Sequence, residues 1–339
     1  MSKEAVERIA GRPVVVSVSG GKDSTAACLH LKELGIPYRA VHMDTGWEHP
    51  QTAEYVREYL PSIIGEIEII GRPGGMVQLI KDRNGALPSR RMRFCTSELK
   101  VLPMKRFIEA MEDEPVNVVG IRARESRKRS QMPEWEHSEA FDCDVWRPLI
   151  DWTLEDVIDI HKRHGVAPNP LYTRNHARVG CWPCINASKA EIKRMADDSI
   201  IPLRSRLKPL EDYSQRTMEE ARDRYRAVAR RVMEAGGTPE QAAREMGKSN
   251  RISPGQLLIA KEVFGLVTDP LPKAAWFHSS SYGATPVDTA IAWARTSRGG
   301  KQFEMFAPSG ADEGCMRWGL CETHTPDIEV QGDDWGDDG

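Results

Sequence analysis

Residues Ser19, Gly20, Gly21, Lys22, Asp23, Ser24 and Thr25 follow one another without a gap and together carry the parts of a phosphate-binding turn. The glycine pair lets backbone N–H groups approach an anion closely. Lys22 offsets its charge, and the Ser19 and Ser24 hydroxyls donate to its oxygens. The run at 13–18 before the turn is rich in valine, and Ala26, Ala27, Cys28, Leu31 and Leu34 after it repeat with helical spacing as far as Gly35. Strand, glycine turn and helix start thus bring a helix N-terminus, with its partial positive charge, to the anion. The spacing differs from the Walker pattern, which needs four residues between its glycine and its Gly-Lys pair.

A second set of reactive residues is the cysteines, seven in 339 residues. Cys181 and Cys184 form a C-x-x-C pair, which on its own suits a zinc knuckle, a redox pair or a cluster site. Cys95 lies upstream, directly after Arg90, Arg91 and Arg93. Cys28 falls on the apolar face of the first helix and reads as core, while Cys143 has no spacing partner. Cys315 and Cys321 flank Trp318 in an irregular segment. Arg122 and Arg127 follow an apolar run at 116–121; a guanidinium there forks two hydrogen bonds onto a phosphate or sulfate.

The elements that must position these groups alternate between strand and helix. Strands are expected at 14–18, 38–43, 66–70 and 116–121, and helices at 52–60 and 102–111. A further helix begins after the cap Thr153, with Leu154, Val157, Ile158 and His161 on one face and Gly165 at its end. This pattern gives an α/β, doubly wound, mainly parallel sheet, which binds ligands beyond the carboxyl ends of its strands. The second half reads differently. Thr217-x-x-Glu220 has the form of a capping box opening a helix that closes at Gly236-Gly237. Two shorter helices follow from Thr238-Pro239 and Ser253-Pro254. The division expected is a nucleotide-binding domain at 1–200, a helical and irregular region at 201–324, and an acidic tail at 325–339. That tail carries six acidic groups and no basic ones and reads as disordered.

Composition narrows the classes. A 29% charged fraction and 40% hydrophobic fraction suit an ordinary soluble chain. No apolar stretch approaches a membrane span, and the first residues lack a signal-peptide core, so a cytoplasmic protein without a membrane partner is expected. A net charge of −3 leaves nucleic-acid binding to a local patch rather than a global field. The capped helices at 238–247 and 253–264 have the dimensions of a helix-turn-helix, so a nucleic-acid-binding accessory protein is a further reading.

The turn S-G-G-K-D-S resembles the PP-loop of the adenine-nucleotide α-hydrolase superfamily, whose members split ATP between its α and β phosphates. Four other segments resemble the phosphoadenosine-phosphosulfate reductase branch. Asp44-Thr45-Gly46, within His42 to Pro50, is similar to the family's D-T-G segment near the nucleotide. Gly120 to Arg127 is similar to its G-x-R-x-x-E-S-x-R. Trp146 to Val157, with Asn169-Pro170-Leu171-Tyr172, looks like its P-L-x-D-W-T-x-x-D-V and N-P-L-Y runs. Gly180-Cys181-Trp182-Pro183-Cys184 resembles G-C-x-P-C, and Cys95 to Pro103 resembles C-C-x-x-x-K-V-x-P. In cluster-bearing members those cysteines hold a [4Fe–4S] cluster. Here Thr96 replaces one of them, so the resemblance implies three ligands, Cys95, Cys181 and Cys184. The fourth is then Cys315 or Cys321, or an iron is left open to carry sulfur.

The same resemblance separates two functions. Reductases of the family carry a degraded loop in place of S-G-G-K-D-S, and they attack sulfate through a cysteine in a C-terminal E-C-G-x-H motif. This chain keeps Lys22 and Asp23, and its nearest match to the motif, Leu320-Cys321-Glu322-Thr323-His324, keeps only the Cys and His spacing. The implied activity is therefore ATP·Mg²⁺-dependent adenylation of an acceptor, expected to be a nucleic acid, with sulfur from the cysteine site or from Cys321 displacing AMP. A sulfur-donor protein is the expected partner. Lys22, Asp23 and Cys321 are the expected catalytic residues. Ser19, Gly20, Gly21, Ser24, Asp44, Thr45, Gly46, Gly120, Arg122 and Arg127 join Lys22 and Asp23 as the expected nucleotide contacts. Sulfonucleotide reduction is the alternative.

Overall fold

The computed structural model describes residues 7–90, 92–247, 252–268, 271–279 and 283–296. Six strands form the central sheet: β1 (Val14–Ser17), β2 (Arg39–Asp44), β3 (Ile67–Gly71), β4 (Val116–Val118), β5 (Trp135–Ser138) and β6 (Cys143–Trp146). Their order is β3-β2-β1-β4-β6-β5, parallel throughout except for β5, which runs antiparallel to β6 at the edge. Side-chain alternation decides which face each valine covers. Val14, Val16 and Val18 pack with Ala27, Leu31, Val157 and Ile160 from helices α1 (Lys22–Glu33) and α4 (Leu154–Arg163). Val15 and Val41 instead meet Met104 and Ile108 of helix α3 (Leu102–Glu109), across from α1. The chain winds outward from β1 to β3 and returns on the other side at β4. The crevice beyond β1 and β4 is therefore the sheet's switch point.

The doubly wound sheet is as expected, with three local differences. Strand β5 has no apolar alternation to announce it; its side chains are half-buried or exposed, as an edge strand permits. The helices expected at 52–60 and 102–111 each contain or adjoin a π-helical turn, Tyr55–Tyr59 and Ser97–Val101. Pro61 and Pro103 have no N–H to give the ordinary helical bond, and the chain bonds one residue further back, as Leu60 does to the Tyr55 carbonyl at 2.9 Å. The box at Thr217 does not open a helix. Helix α7 runs unbroken from Leu203 to Glu234, and the Thr217 hydroxyl donates back to the Tyr213 carbonyl at 3.0 Å.

Helix α2 (Gly75–Asp82) follows β3, and the short helix α5 (Pro170–Thr173) and helix α6 (Lys189–Ala196) precede α7. Leu203, Leu207 and Leu210 of α7 share one hydrophobic cluster with Trp47, Trp182, Met195 and Trp276, so this core spans residue 200. Helices α8 (Pro239–Glu245) and α9 (Pro254–Val263) each start with the expected capping box and pack on Ala229 and Val232 of α7. Hairpin β7 (Phe277–Ser279) and β8 (Gly283–Thr285), and helix α10 (Val287–Ala294), complete the described chain. No helix among the described residues is long and apolar enough to cross a membrane.

Candidate nucleotide and cysteine site

The turn after β1 is built by its own side chains. Gly20 has a φ of +74°, and a Cβ on it would lie 2.7 Å from Val56 Cγ2, so glycine is required there. The Ser24 hydroxyl donates to the Gly21 carbonyl at 2.9 Å and accepts from the Ser19 N–H at 3.1 Å. Asn169 donates to the Gly20 carbonyl at 3.1 Å, and the Tyr172 hydroxyl accepts from the Lys22 N–H at 3.2 Å. The Asn-Pro-Leu-Tyr run is thus a second wall of the phosphate turn.

Lys22 bonds to Asp23 at 2.9 Å, and Arg122 bonds to the other Asp23 oxygen at 2.5 Å. Burial disfavours all these charges, but Lys22 and Arg122 together hold the Asp23 carboxyl below its usual range. Burial likewise opposes the Lys22 ammonium, and Tyr172 and Asp23 more than offset it, leaving it raised. Asp23 therefore braces two cations at the mouth of α1. Arg122 is buried, whereas Arg127, expected beside it as an anion contact, is exposed.

Gly120 brings Arg122 into place because it lies flat against α1. A Cβ there would sit 2.5 Å from the Asp23 carbonyl oxygen and 2.9 Å from Ser24 Cα, both of them backbone. Gly120→Ala must push the β4 loop off the helix start. We expect it to cost ~1–3 kcal/mol of stability in chemical denaturation and to weaken nucleotide binding more than substitution of exposed Arg127 does.

The loop after β2 packs against the cysteine site. Asp44 caps the Gly46 N–H at 2.8 Å and is ion-paired with Arg57. Gly46 and Gly75 approach so closely that a Cβ on Gly75 would meet the Thr45 carbonyl oxygen at 2.4 Å. Buried Thr45 donates to Glu48 at 2.5 Å, and Glu48 also accepts from the Thr45 and Trp47 N–H groups at 3.3 and 3.1 Å. On the other side, Thr45 Oγ1 lies 3.9 Å from Cys181 Sγ, Glu48 pairs in a β-bridge with Cys181, and the Trp182 N–H donates to the Trp47 carbonyl at 2.7 Å. Arg206 of α7 reaches the same loop, donating to the Glu48 and Gly46 carbonyls at 2.8 and 3.3 Å with its guanidinium 4.1 Å from the Trp47 ring centroid. Burial lowers it to about 10, still charged at neutral pH. Glu48 and Arg206 were not legible as site residues, because nothing in the spacing ties residue 206 to residue 46.

Cys95, Cys181 and Cys184 are half-buried and pack into one cluster with Phe94, Trp47 and Trp182. Burial raises the Cys95 and Cys181 thiols. Lys100, in the same π-helical turn that follows Cys95, is held above its usual range chiefly by Cys181, against the effect of its own burial. An all-sulfur donor set in an apolar setting, with the Lys100 ammonium beside it, is the soft set that a [4Fe–4S] cluster takes. Cys28 and Cys143 are fully buried elsewhere, at about 12 and about 11, and take no part. Cys315, Cys321, Arg91 and the acidic tail lie outside the described residues.

A family model described as the phosphoadenosine phosphosulfate reductase domain matches residues 13–187, from the start of β1 through the second cysteine of the pair. The chain belongs to the phosphoadenosine phosphosulfate reductase family. The match ends before α6, so α6 to α10, with Arg206 and Trp276, lie outside it. An uncharacterized protein of Escherichia phage 186 is 35% identical, across 52% of this chain and 68% of its own length. The adenosine 5′-phosphosulfate reductase of Allochromatium vinosum is 25% identical across 51% of this chain and 68% of its own. A phosphoadenylyl-sulfate reductase structure from Candida auris, a phosphate complex, aligns with a TM-score of 0.44 and 20% identity, covering 54% of this chain and 90% of that one.

Proposed function

We propose that this family member is an ATP-using enzyme that adenylates an acceptor and prepares it for sulfur transfer at the cysteine site. The observation that carries the reading is the complete phosphate turn, with Lys22 braced by Asp23 and Arg122 over the N-terminus of α1. ATP·Mg²⁺ lies with its β and γ phosphates on residues 19–24. An acceptor oxygen attacks the α phosphorus, the bond to the pyrophosphate oxygen breaks, and Lys22 offsets the charge that leaves. A sulfur nucleophile delivered from the Cys95, Cys181 and Cys184 side then displaces AMP, which departs with the acceptor oxygen. A [4Fe–4S] cluster held by those three cysteines would supply a soft metal site for sulfur. The Asp44–Glu48 loop, whose Asp-Thr-Gly segment resembles the family's segment near the nucleotide, packs against Cys181, which supports activation and transfer in one crevice.

A nucleic acid is the acceptor we favour. Arg90 and Arg93 are exposed just before Cys95, and Arg124, Arg127 and Lys128 are exposed on the loop beyond Gly120. A basic rim on a chain of net charge −3 suits a polyanion that must reach the crevice. Binding of single-stranded RNA or DNA should weaken steeply with salt. Replacing Arg90, Arg91 and Arg93 by Gln should flatten that slope by ~0.7–0.9 for each phosphate no longer neutralised, with ATP affinity unchanged.

Sulfonucleotide reduction stands as the second reading, favoured by the reductase relative above. It expects sulfite release with a thiol reductant. Sulfite formation that requires Cys321 and is indifferent to Lys22 would decide for it, whereas AMP and pyrophosphate release that requires Lys22 decides for adenylation.

A further inference from the structure

The rim of the crevice carries positive charge that the described residues leave unbalanced. Arg124, Arg127 and Lys128 are exposed beyond Gly120, Arg90 and Arg93 before Cys95, and Arg178 before Gly180. None of the six has an ion pair among the described residues. Glu125, the one carboxylate within the Arg124–Lys128 run, is taken by Arg129. Val179, next to Arg178, lies against the phosphate turn, its Cβ 4.0 Å from where a Cβ on Gly21 would sit. Exposed charge of one sign around a crevice focuses a field that attracts polyanions.

The opposite charge stands at the other end of the sequence. Residues 325–339 carry six acidic groups among fifteen and no basic one, in a chain whose net charge is only −3. The described chain also ends on the right side of the molecule. Helix α10 shares a cluster with Trp47, Trp182 and the three cysteines, and Lys189 of α6 donates to the Thr296 carbonyl at 2.6 Å. Residues 297–324 then supply twenty-eight residues of chain, a reach of up to ~90–100 Å, against a diameter of ~50 Å for a folded unit of this size. Covalent linkage gives such a segment an effective concentration of order mM, so contacts that are weak one by one are populated.

We propose that the acidic segment 325–339 docks on this basic rim within the same chain, in place of nucleic-acid phosphates, so that tail and acceptor compete for the same cations. This rests on the nucleic-acid reading given above and adds a regulator to it. The competition selects for acceptors that present more phosphates, or better placed ones, than the tail presents carboxylates. Short or weakly charged strands are held off the crevice.

A full-length variant carrying Asp327→Asn, Glu329→Gln, Asp333→Asn, Asp334→Asn, Asp337→Asn and Asp338→Asn tests this with a labelled single-stranded oligonucleotide. It should bind about fivefold or more tighter than wild type at ~50 mM salt, and the gap should close as salt rises toward ~0.3 M. In a background of Arg124→Gln, Arg127→Gln and Lys128→Gln the same tail changes should alter affinity less than about twofold, since the two sets act through one contact. A zero-length carbodiimide, which joins an ammonium to a carboxylate it touches, should link Lys128 to the tail within single chains, less so at high salt. A gain that persists without the three rim cations is a net-charge effect and would overturn the proposal. So would the absence of the Lys128 link, or links found only between chains. If neither wild type nor variant binds the oligonucleotide, the nucleic-acid reading falls, while the link still reports on the tail.

Discussion

Lys22→Ala should abolish AMP and pyrophosphate formation, with a rate loss of about a hundredfold or more. Removing one donor aimed at developing charge typically raises a barrier by a few kcal/mol, and in the proposed reaction Lys22 offsets the charge of the leaving pyrophosphate. The fold should survive. Asp23 loses one of its two cations but keeps Arg122 at 2.5 Å, so no isolated buried carboxylate is created. The turn's backbone is held by Ser24, Asn169 and the Tyr172 hydroxyl through hydrogen bonds to main-chain groups that the substitution leaves in place. A thin-layer or coupled pyrophosphate assay on the variant, with thermal unfolding as the control, measures both parts. Release of ADP instead of AMP by the wild type would remove the PP-loop assignment itself.

The second large effect concerns the cysteines. Cys95→Ser, Cys181→Ser and Cys184→Ser should each remove a brown, oxygen-sensitive chromophore from anaerobically prepared protein, together with its iron and sulfide. Cys28→Ala should leave it in place, because Cys28 is fully buried between α1 and the sheet, in a different cluster. Thiolate ligands are what a [4Fe–4S] cluster requires, and a serine oxygen is a poor replacement for a soft donor. Stoichiometric zinc without iron after anaerobic reconstitution would overturn the cluster and leave a structural knuckle. The two experiments are independent, since a protein without a cluster can still cleave ATP at Lys22.

Local sequence determined a good deal of this. The valine run, the glycine pair and the helical spacing from Ala26 to Leu34 place a phosphate turn at a helix N-terminus, because each feature depends only on near neighbours. The alternation of strands and helices implies a doubly wound sheet for the same reason. The cysteine spacing picked out Cys95, Cys181 and Cys184 from the core cysteines, and all three meet in one cluster. Capping boxes at Thr153, Thr238 and Ser253 formed as their patterns require, but the one at Thr217 did not. A cap pattern states only how a helix can begin. The buried stripe of Leu203, Leu207 and Leu210 begins the helix earlier, and that stripe has a partner only once the chain has folded.

Tertiary structure alone decided how the site is joined. Asp23 is among the catalytic residues expected from the sequence; folding adds that Arg122, ninety-nine residues away, is set against it, so that it also braces two cations. Tyr172 and Asn169 read as a family signature and become the far wall of the phosphate turn. Arg206 carries no signal at all, since it reaches the carbonyls of Gly46 and Glu48 from a helix beyond the family domain, and the pairing of Glu48 with Cys181 exists only in the fold. Local interactions can be read from spacing because the chain's own geometry brings those groups together. Contacts made across a sheet's switch point depend on which elements pack together, and no spacing records that.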